Sequence, residues 1–482
     1  MRWLFLVHRY LGIVLGLVMA LWCASGVVMM YVSYPALAPA ARLRGLALVD
    51  WRHCCSINED ALADGDGVNR FEVEMLAGHP VVRVSVADSP GRTIDLTDGK
   101  PIGPISIEQA RRAAASFGQV NRIGTQPQYV GPLDYDQWTV SGEFRAHRPL
   151  LLFDFHDDAG TQLYVSGKTG ELVQMTTARL RFWNWLGAVP HWIYFSSLRQ
   201  NARLWTRIVV YTSLVGSFLV VTGIYIGVWQ FLRRPAGRWS PYRRVLFWHH
   251  VPGLLFGVFA LTWVVSGLLS MNPWGLLENG GAEIERARLL GAGITGAQVK
   301  QSLRALPVAA PAEVVSIESA PLHGQLNLIA STASAARWRL DAQGMKAPLV
   351  AADFASAAKL LAGGAAFTGP ELLNAEDNYY FSHHLDTVSL PVYRVIVADA
   401  QHTRYYLDPV SGELIGSIDG NGRAYRWLHQ GLHRLDFTPA LRARPTWDVI
   451  MLLLLCGVGA SGFTGAYLGI RRLLGRGPPR ST

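Results

Sequence analysis

HRYLGIVLGLVMALWCASG, residues 8–26, decides how this chain is built, because it is written twice. Residues 249–267 read HHVPGLLFGVFALTWVVSG. His8 is followed by Gly12, Gly16, Trp22, Ser25 and Gly26, and His249 by Gly253, Gly257, Trp263, Ser266 and Gly267, at the same offsets. Both stretches lie in long uncharged segments: no charged residue falls between Arg9 and Arg42, and none between Arg244 and Glu278. About 20 mostly apolar residues suffice to cross a bilayer as a helix. Each copy of the motif therefore predicts a membrane span, over residues 3–32 and 245–271. The first apolar run is too long for a secretory h-region and is read as a retained span.

A second set of matches closes the repeat. Trp185, Leu186, His191, Phe195, Trp205, Thr222, Gly223, Tyr225 and Gly227 recur 242 residues later as Trp427, Leu428, His433, Phe437, Trp447, Thr464, Gly465, Tyr467 and Gly469. Two further apolar segments, residues 205–231 and 447–470, carry the ends of these sets. Gly170-Glu171-Leu172 returns as Gly412-Glu413-Leu414 at the same spacing. The chain thus reads as helix–external domain–helix written twice, with parallel copies related by an axis along the membrane normal. The expected class is an α-helical polytopic membrane protein with two external α+β domains. Its parts are spans 1–32, 205–232, 245–271 and 447–470, external domains 33–204 and 272–446, a loop 233–244 and a tail 471–482.

Composition agrees. Half of the 482 residues are hydrophobic and only 16% are charged, which excludes a disordered chain. The length alone would suggest three soluble domains of about 150 residues; the four spans replace that reading. The net charge of +9 invites a nucleic-acid partner, but the arginines sit at helix ends. Arg2 and Arg9 flank span one, Arg233, Arg234, Arg238, Arg243 and Arg244 crowd the short loop, and Arg471, Arg472, Arg476 and Arg480 follow span four. The positive-inside rule then puts both termini and the loop in the cytoplasm and the large regions outside, in the periplasm if the membrane is a bacterial inner membrane. The lipid bilayer is the expected partner of this charge, and no nucleic acid is.

The external regions read as mixed α/β. Strands are predicted over residues 81–86, 150–155, 326–330 and 392–397, and helices over 107–117 and 352–361. A strand ending in an acid and a turn to glycine recurs, strongest at Tyr406-Leu407-Asp408-Pro409-Val410-Ser411-Gly412-Glu413 and again around Tyr164 to Glu171. Weaker copies occupy residues 92–99 and 337–344. Each external region is expected to hold two small strand-rich units with a helix against them.

Of fourteen histidines, the repeat singles out four: His8, His191, His249 and His433. His8 and His249 open spans one and three at the cytoplasmic end. His191 and His433 precede spans two and four on the outer side. A span is about 30 Å long, so His8 and His191 cannot share one metal. His8 can meet His249 across the twofold axis, and His191 can meet His433. Two bis-imidazole sites stacked across a membrane are the arrangement of a dihaem b electron path. With no CxxCH in the chain, any haem is held non-covalently. A lone histidine at a span end is more often an interfacial anchor; the pairing is what argues otherwise. His250 and His429 are the neighbouring substitutes. His383, His384, His147 and His156 lie outside the membrane and read as surface histidines, with His383 and His384 as possible contacts to an external iron chelate. Recurrent glycines read first as helix packing and second as room for a flat macrocycle. Trp3, Trp205, Trp229, Trp239, Trp274 and Trp447 read as an interfacial belt. Cys23 and Cys456 lie in spans; adjacent Cys54 and Cys55 could form a strained vicinal disulfide or act as thiols. The chain contains no P-loop, HExxH or GxSxG, which removes support for ATPase and hydrolase readings.

The pattern His8-Arg9-Tyr10-Leu11-Gly12 with Ser25-Gly26, His191, His249 and Thr464-Gly465 resembles the PepSY-associated transmembrane helix family, over nearly the whole chain. The strand signal Asp408 to Glu413 resembles its PepSY modules. The resemblance implies four spans, two external regions, and haem b held by His8, His249, His191 and His433. It also implies an inner-membrane ferric-siderophore reductase. Gly160-Thr161 and Gly167-Lys168 depart from the acidic turn of the module, which puts a ligand role for that unit in doubt. Three functions are open at this stage: electron transfer to an external ferric siderophore from quinol or a separate donor protein; a membrane-anchored module that binds peptides or modulates a peptidase; and a transporter. The last is disfavoured because no acidic residue lies deep in a span.

Overall fold

A computed structural model describes residues 1–86, 91–309 and 312–475. Arg476 and Arg480 of the basic tail lie outside these residues. Four helices are long and apolar enough to span a membrane: Arg2–Met29, Ala202–Leu232, Val245–Ser270 and Thr446–Leu473. Each span packs against two others, in the cyclic order first, fourth, third, second. The first and third spans are therefore diagonal, as are the second and fourth. Most of the recurrent glycines serve this packing. A methyl group added to Gly16 would lie 3.3 Å from the backbone of Ala466, and one on Gly469 3.3 Å from that of Ile13. One on Gly257 would meet Ile224 at 3.0 Å. Small residues bring helix backbones together where lipid offers no competing gain.

All the strands lie beyond one end of this bundle and form three antiparallel sheets. Strands β1 (Gly67–Leu76), β2 (His79–Val86), β3 (Arg92–Asp95) and β4 (Pro101–Ile102) come from the first copy. They are followed by β5 (Gln128–Leu133), β6 (Leu150–Asp154), β7 (Gln162–Ser166) and β8 (Leu172–Thr176), which make a sheet of their own. The second copy supplies β9 (Ile294–Thr295), β10 (Val314–Ser319), β11 (Asn327–Thr332) and β12 (Arg337–Asp341). Its remaining strands, β13 (Phe367–Leu373), β14 (Val392–Val397), β15 (Arg404–Leu407) and β16 (Leu414–Ile418), again make a separate sheet.

The two external regions are not independent domains. Their first units merge into one sheet of order β12-β11-β10-β1-β2-β3-β4, joined where Val73 faces Ile317 and Glu72 faces Glu318. Like charges directly opposed across strands are unfavourable. Here Arg42 pairs with Glu72 at 3.1 Å and with Glu74 at 2.6 Å, and Arg70 pairs with Glu318. One helix, Gly296–Ala309, covers this shared sheet, setting Val299, Leu303 and Leu306 against Val73, Val82, Ile317 and Leu328. Cys54 and Cys55, joined as a vicinal disulfide, pack at the edge of the same core.

The second units match expectation. Helix Ile107–Val120 begins at a capping box, with Ser106 Oγ accepting from Gln109 N at 3.2 Å and the Gln109 side chain accepting from Ser106 N at 3.0 Å. It lays Ala110, Ala114 and Phe117 on Leu151, Phe153, Leu163 and Val165. Helix Ala351–Ala362 covers β14 and β15 in the same way. The recurrent strand–turn signal has a common geometry. Asp408 Oδ1 accepts from Val410 N and Ser411 N at 2.9 and 2.8 Å, and Gly412 N returns to Asp408 O at 2.9 Å. In the first copy Ser166 Oγ takes the same place, accepting from Lys168 N and Thr169 N at 3.3 and 3.1 Å. The missing acid is thus replaced by a hydroxyl that holds the same turn. Gly170 (φ +69°) and Gly412 (φ +76°) occupy the left-handed position that closes it.

Candidate functional site

The structure brings the four repeat-selected histidines together as two pairs. His8 and His249 face each other across the end of the bundle remote from the sheets, with ring centroids 6.2 Å apart and planes inclined by 42°. His191 and His433 face each other at the sheet-bearing end, with centroids 6.1 Å apart and planes at 79°. From His8 to Ser25, which contacts His191, is 17 residues along one helix, or about 25 Å of rise. The two pairs are therefore separate sites.

Each ring is held the same way in both copies. His8 Nδ1 lies 3.2 Å from Leu219 O on the second span, and His249 Nδ1 lies 3.0 Å from Ser461 O on the fourth. Leu219 and Ser461 are themselves 242 residues apart. His191 Nδ1 lies 3.2 Å from Trp22 O and 3.1 Å from Ser25 Oγ. His433 Nδ1 lies 3.2 Å from Trp263 O and 3.0 Å from Ser266 Oγ. A carbonyl can only accept, so in each ring Nδ1 carries the proton and donates it. Nε2 is left with its lone pair exposed and has no hydrogen-bond partner among the described residues. This is how a metal-binding imidazole is oriented by the groups behind it.

The repeated Ser-Gly and Thr-Gly dipeptides acquire a reason. A methyl group on Gly223 would lie 2.7 Å from His8 Cε1, and one on Gly465 3.0 Å from His249 Cε1. On Gly26 or Gly267 it would lie 3.6 Å from Cε1 of His191 or His433. The serine of the outer dipeptide holds the ring, and the glycine of the inner dipeptide makes room for it. Sequence periodicity marked these residues as repeated without revealing that role.

The outer pair opens on a cavity of about 700 Å³ lined by all four spans, within the 300–1,000 Å³ range of small-molecule and cofactor sites. Met19, Met29, Met30, Met271 and Met451 line it, five of the nine methionines in the chain. Thioethers are soft, adaptable packing for flat aromatic surfaces. Two indole nitrogens at repeat-related positions, Trp22 Nε1 and Trp263 Nε1, are buried there with no hydrogen-bond partner among the described residues.

The other histidines sort differently from expectation. His250 is no substitute ligand: its Nδ1 lies 2.9 Å from Ser240 Oγ and its Nε2 donates to Gly227 O at 2.9 Å, so both nitrogens are committed. His429 remains available. Its Nδ1 donates to Ser266 O at 3.1 Å and its ring lies 5.2 Å from that of His433. His383 and His384 are not surface residues but line the cavity. His384 is stacked on Trp447 at 3.6 Å and donates from Nε2 to Arg442 O at 2.9 Å. His156 is exposed as expected, while His147 is only partly so. Trp447 is buried and so does not face lipid, and Trp205 is half-buried; their N–H groups donate to Arg434 O and Trp192 O at 2.7 and 3.0 Å, tying down the turns that carry the outer histidines. Trp3, Trp239 and Trp274 are strongly exposed, as a belt requires.

Among the described residues, no three or more His, Cys, Asp or Glu side chains cluster as a metal site. No known protein family and no curated protein matches this chain.

Proposed function

We propose that this chain is a transmembrane dihaem b electron-transfer protein that reduces a ferric chelate, such as a ferric siderophore, on the side bearing the sheets. The observation that carries the reading is the spacing of the two histidine pairs. Two imidazoles bound trans to one metal through Nε2, with metal–nitrogen bonds of about 2 Å, have ring centroids about 6 Å apart. Both pairs stand at that distance, with ring centroids 6.2 and 6.1 Å apart. Two-histidine sites suit a metal whose other donors come from a macrocycle, and the methionine-rich cavity suits the macrocycle's faces. Bound haem would supply a one-electron Fe(III)/Fe(II) centre at each end of the bundle.

The chain's own groups do the rest. Carbonyls at Leu219, Ser461, Trp22 and Trp263 fix each tautomer and raise the basicity of Nε2. Side chains of all four spans line the cavity beside the outer pair. The arginines of residues 2–9, 233–244 and 471–472 lie at span ends remote from the sheets. By the positive-inside rule this supports a bacterial inner membrane with both termini cytoplasmic and the sheets periplasmic. Quinol or a separate protein is the proposed electron donor. Reduction releases iron because Fe(II) binds hydroxamate and catecholate oxygens more weakly than Fe(III) does. The PepSY-like reading of the external units belongs to the same proposal.

The test uses full-length protein in liposomes with a ferric tris-hydroxamate outside and a coloured Fe(II)-specific chelator to trap the product. Quinol supplied to the opposite face should yield Fe(II) only when protein is present. No Fe(II) above the protein-free rate, with electron donors verified as active, would leave the spans as anchors and sink the reductase reading.

A further inference from the structure

The outer cavity breaks the twofold repeat on one wall. Where the first copy places Trp192 the second places Arg434, and where the first has Gly187 the second has His429. Arg434, His429, His383 and His384 all line the cavity, facing an aromatic wall that includes Tyr34, Trp192 and Tyr194. A symmetric pair of ligands has no need of this asymmetry; a molecule presented from one side does.

Arg434 feels Tyr425 and Asp436 only at longer range. It follows His433 directly, its carbonyl is pinned by Trp447 Nε1 at 2.7 Å, and its side chain is mostly buried on the cavity wall. Asp436 is the acid nearest in sequence, but it is claimed by Arg426 and Arg442, each at 3.2 Å. Asp386 is the one carboxylate lining the cavity among the described residues, and it makes no ion pair with Arg434. The guanidinium therefore has no hydrogen-bond or ion-pair partner among them. A sequestered cation is costly unless an anion meets it, and guanidinium matches planar oxyanions in particular.

We infer that Arg434 binds an oxyanion of a molecule lodged beside His191 and His433. Only the source of that oxyanion rests on the proposed function: a propionate of haem held by the pair, or an anionic oxygen of the ferric chelate. The test compares wild type, Arg434→Gln and Arg434→Lys in full-length purified protein. Redox titration reads the midpoint potential of each haem, and quenching of tryptophan fluorescence reads the binding of ferric citrate, since Trp192 and Trp447 line the cavity. If the anion is a propionate, Arg434→Gln lowers the potential of one haem and leaves the other, and Arg434→Lys restores it. If it belongs to the chelate, Arg434→Gln weakens ferric citrate about tenfold, Arg434→Lys retains most of the affinity, and both potentials stay put. A Gln variant that matches wild type in both readouts overturns the inference. Wild type that contains no haem refutes the haem reading instead, and the fluorescence titration then decides on Arg434 alone.

Discussion

His433→Ala is expected to leave the purified protein with about half of its haem and with no chelate reduction. His191 and His433 are the two imidazoles assigned to the outer site, so losing one would remove half of what holds the haem there. His8→Ala should remove the other half, and the double variant all of it. The sites should behave independently, because about 25 Å of helix separates them and no partner is shared. His429 sharpens the experiment. Its ring lies 5.2 Å from that of His433 and hangs from the same serine. If His429→Ala empties the outer site while His433→Ala does not, the ligand is His429 and the assigned pair is wrong. Haem content by pyridine haemochrome and difference spectra of each variant measure this.

Ile317→Asp is expected to unfold the sheet shared by both copies. Ile317 and its partner Val73 are fully buried at the seam, under the helix that covers both halves. An unpaired carboxylate there should cost about 3–5 kcal/mol, a large share of a domain's stability. The informative readout is where a protease then cuts. Because β10 holds β1 in place, damage in the second copy should open residues 67–86 of the first. Cleavage confined to the second copy would show that the two halves fold independently.

Repetition made much of this legible. The spans follow from uncharged length, and the histidine pairs from a duplication that leaves most other histidines unmatched. The second units were readable too, because a helix cap at Ser106 and a strand–turn signal at Asp408 are local features. What stayed hidden depends on distant partners. Pairing Val73 with Ile317 joins residues more than 240 apart, and no local pattern encodes it. His250 looked like a ligand until Gly227 O and Ser240 were found on its two nitrogens. Trp447 looked interfacial because its position at a span start says nothing of the Arg434 carbonyl it holds. The departure from the acidic turn at Gly167-Lys168 hid that Ser166 accepts the amide protons that Asp408 accepts in the second copy. Arg434 stood out only once the cavity was seen to be lined unequally.

The central claim is that two bis-imidazole haem sites lie at opposite ends of one four-helix bundle. The most direct measurement is the absorption spectrum of the full-length protein, produced with haem supplied, in its oxidised and dithionite-reduced forms. The account predicts a Soret band that shifts on reduction, a sharp α-band of low-spin haem b, and about two haems per chain. A protein that is folded, by a cooperative thermal transition, yet shows neither band would contradict it.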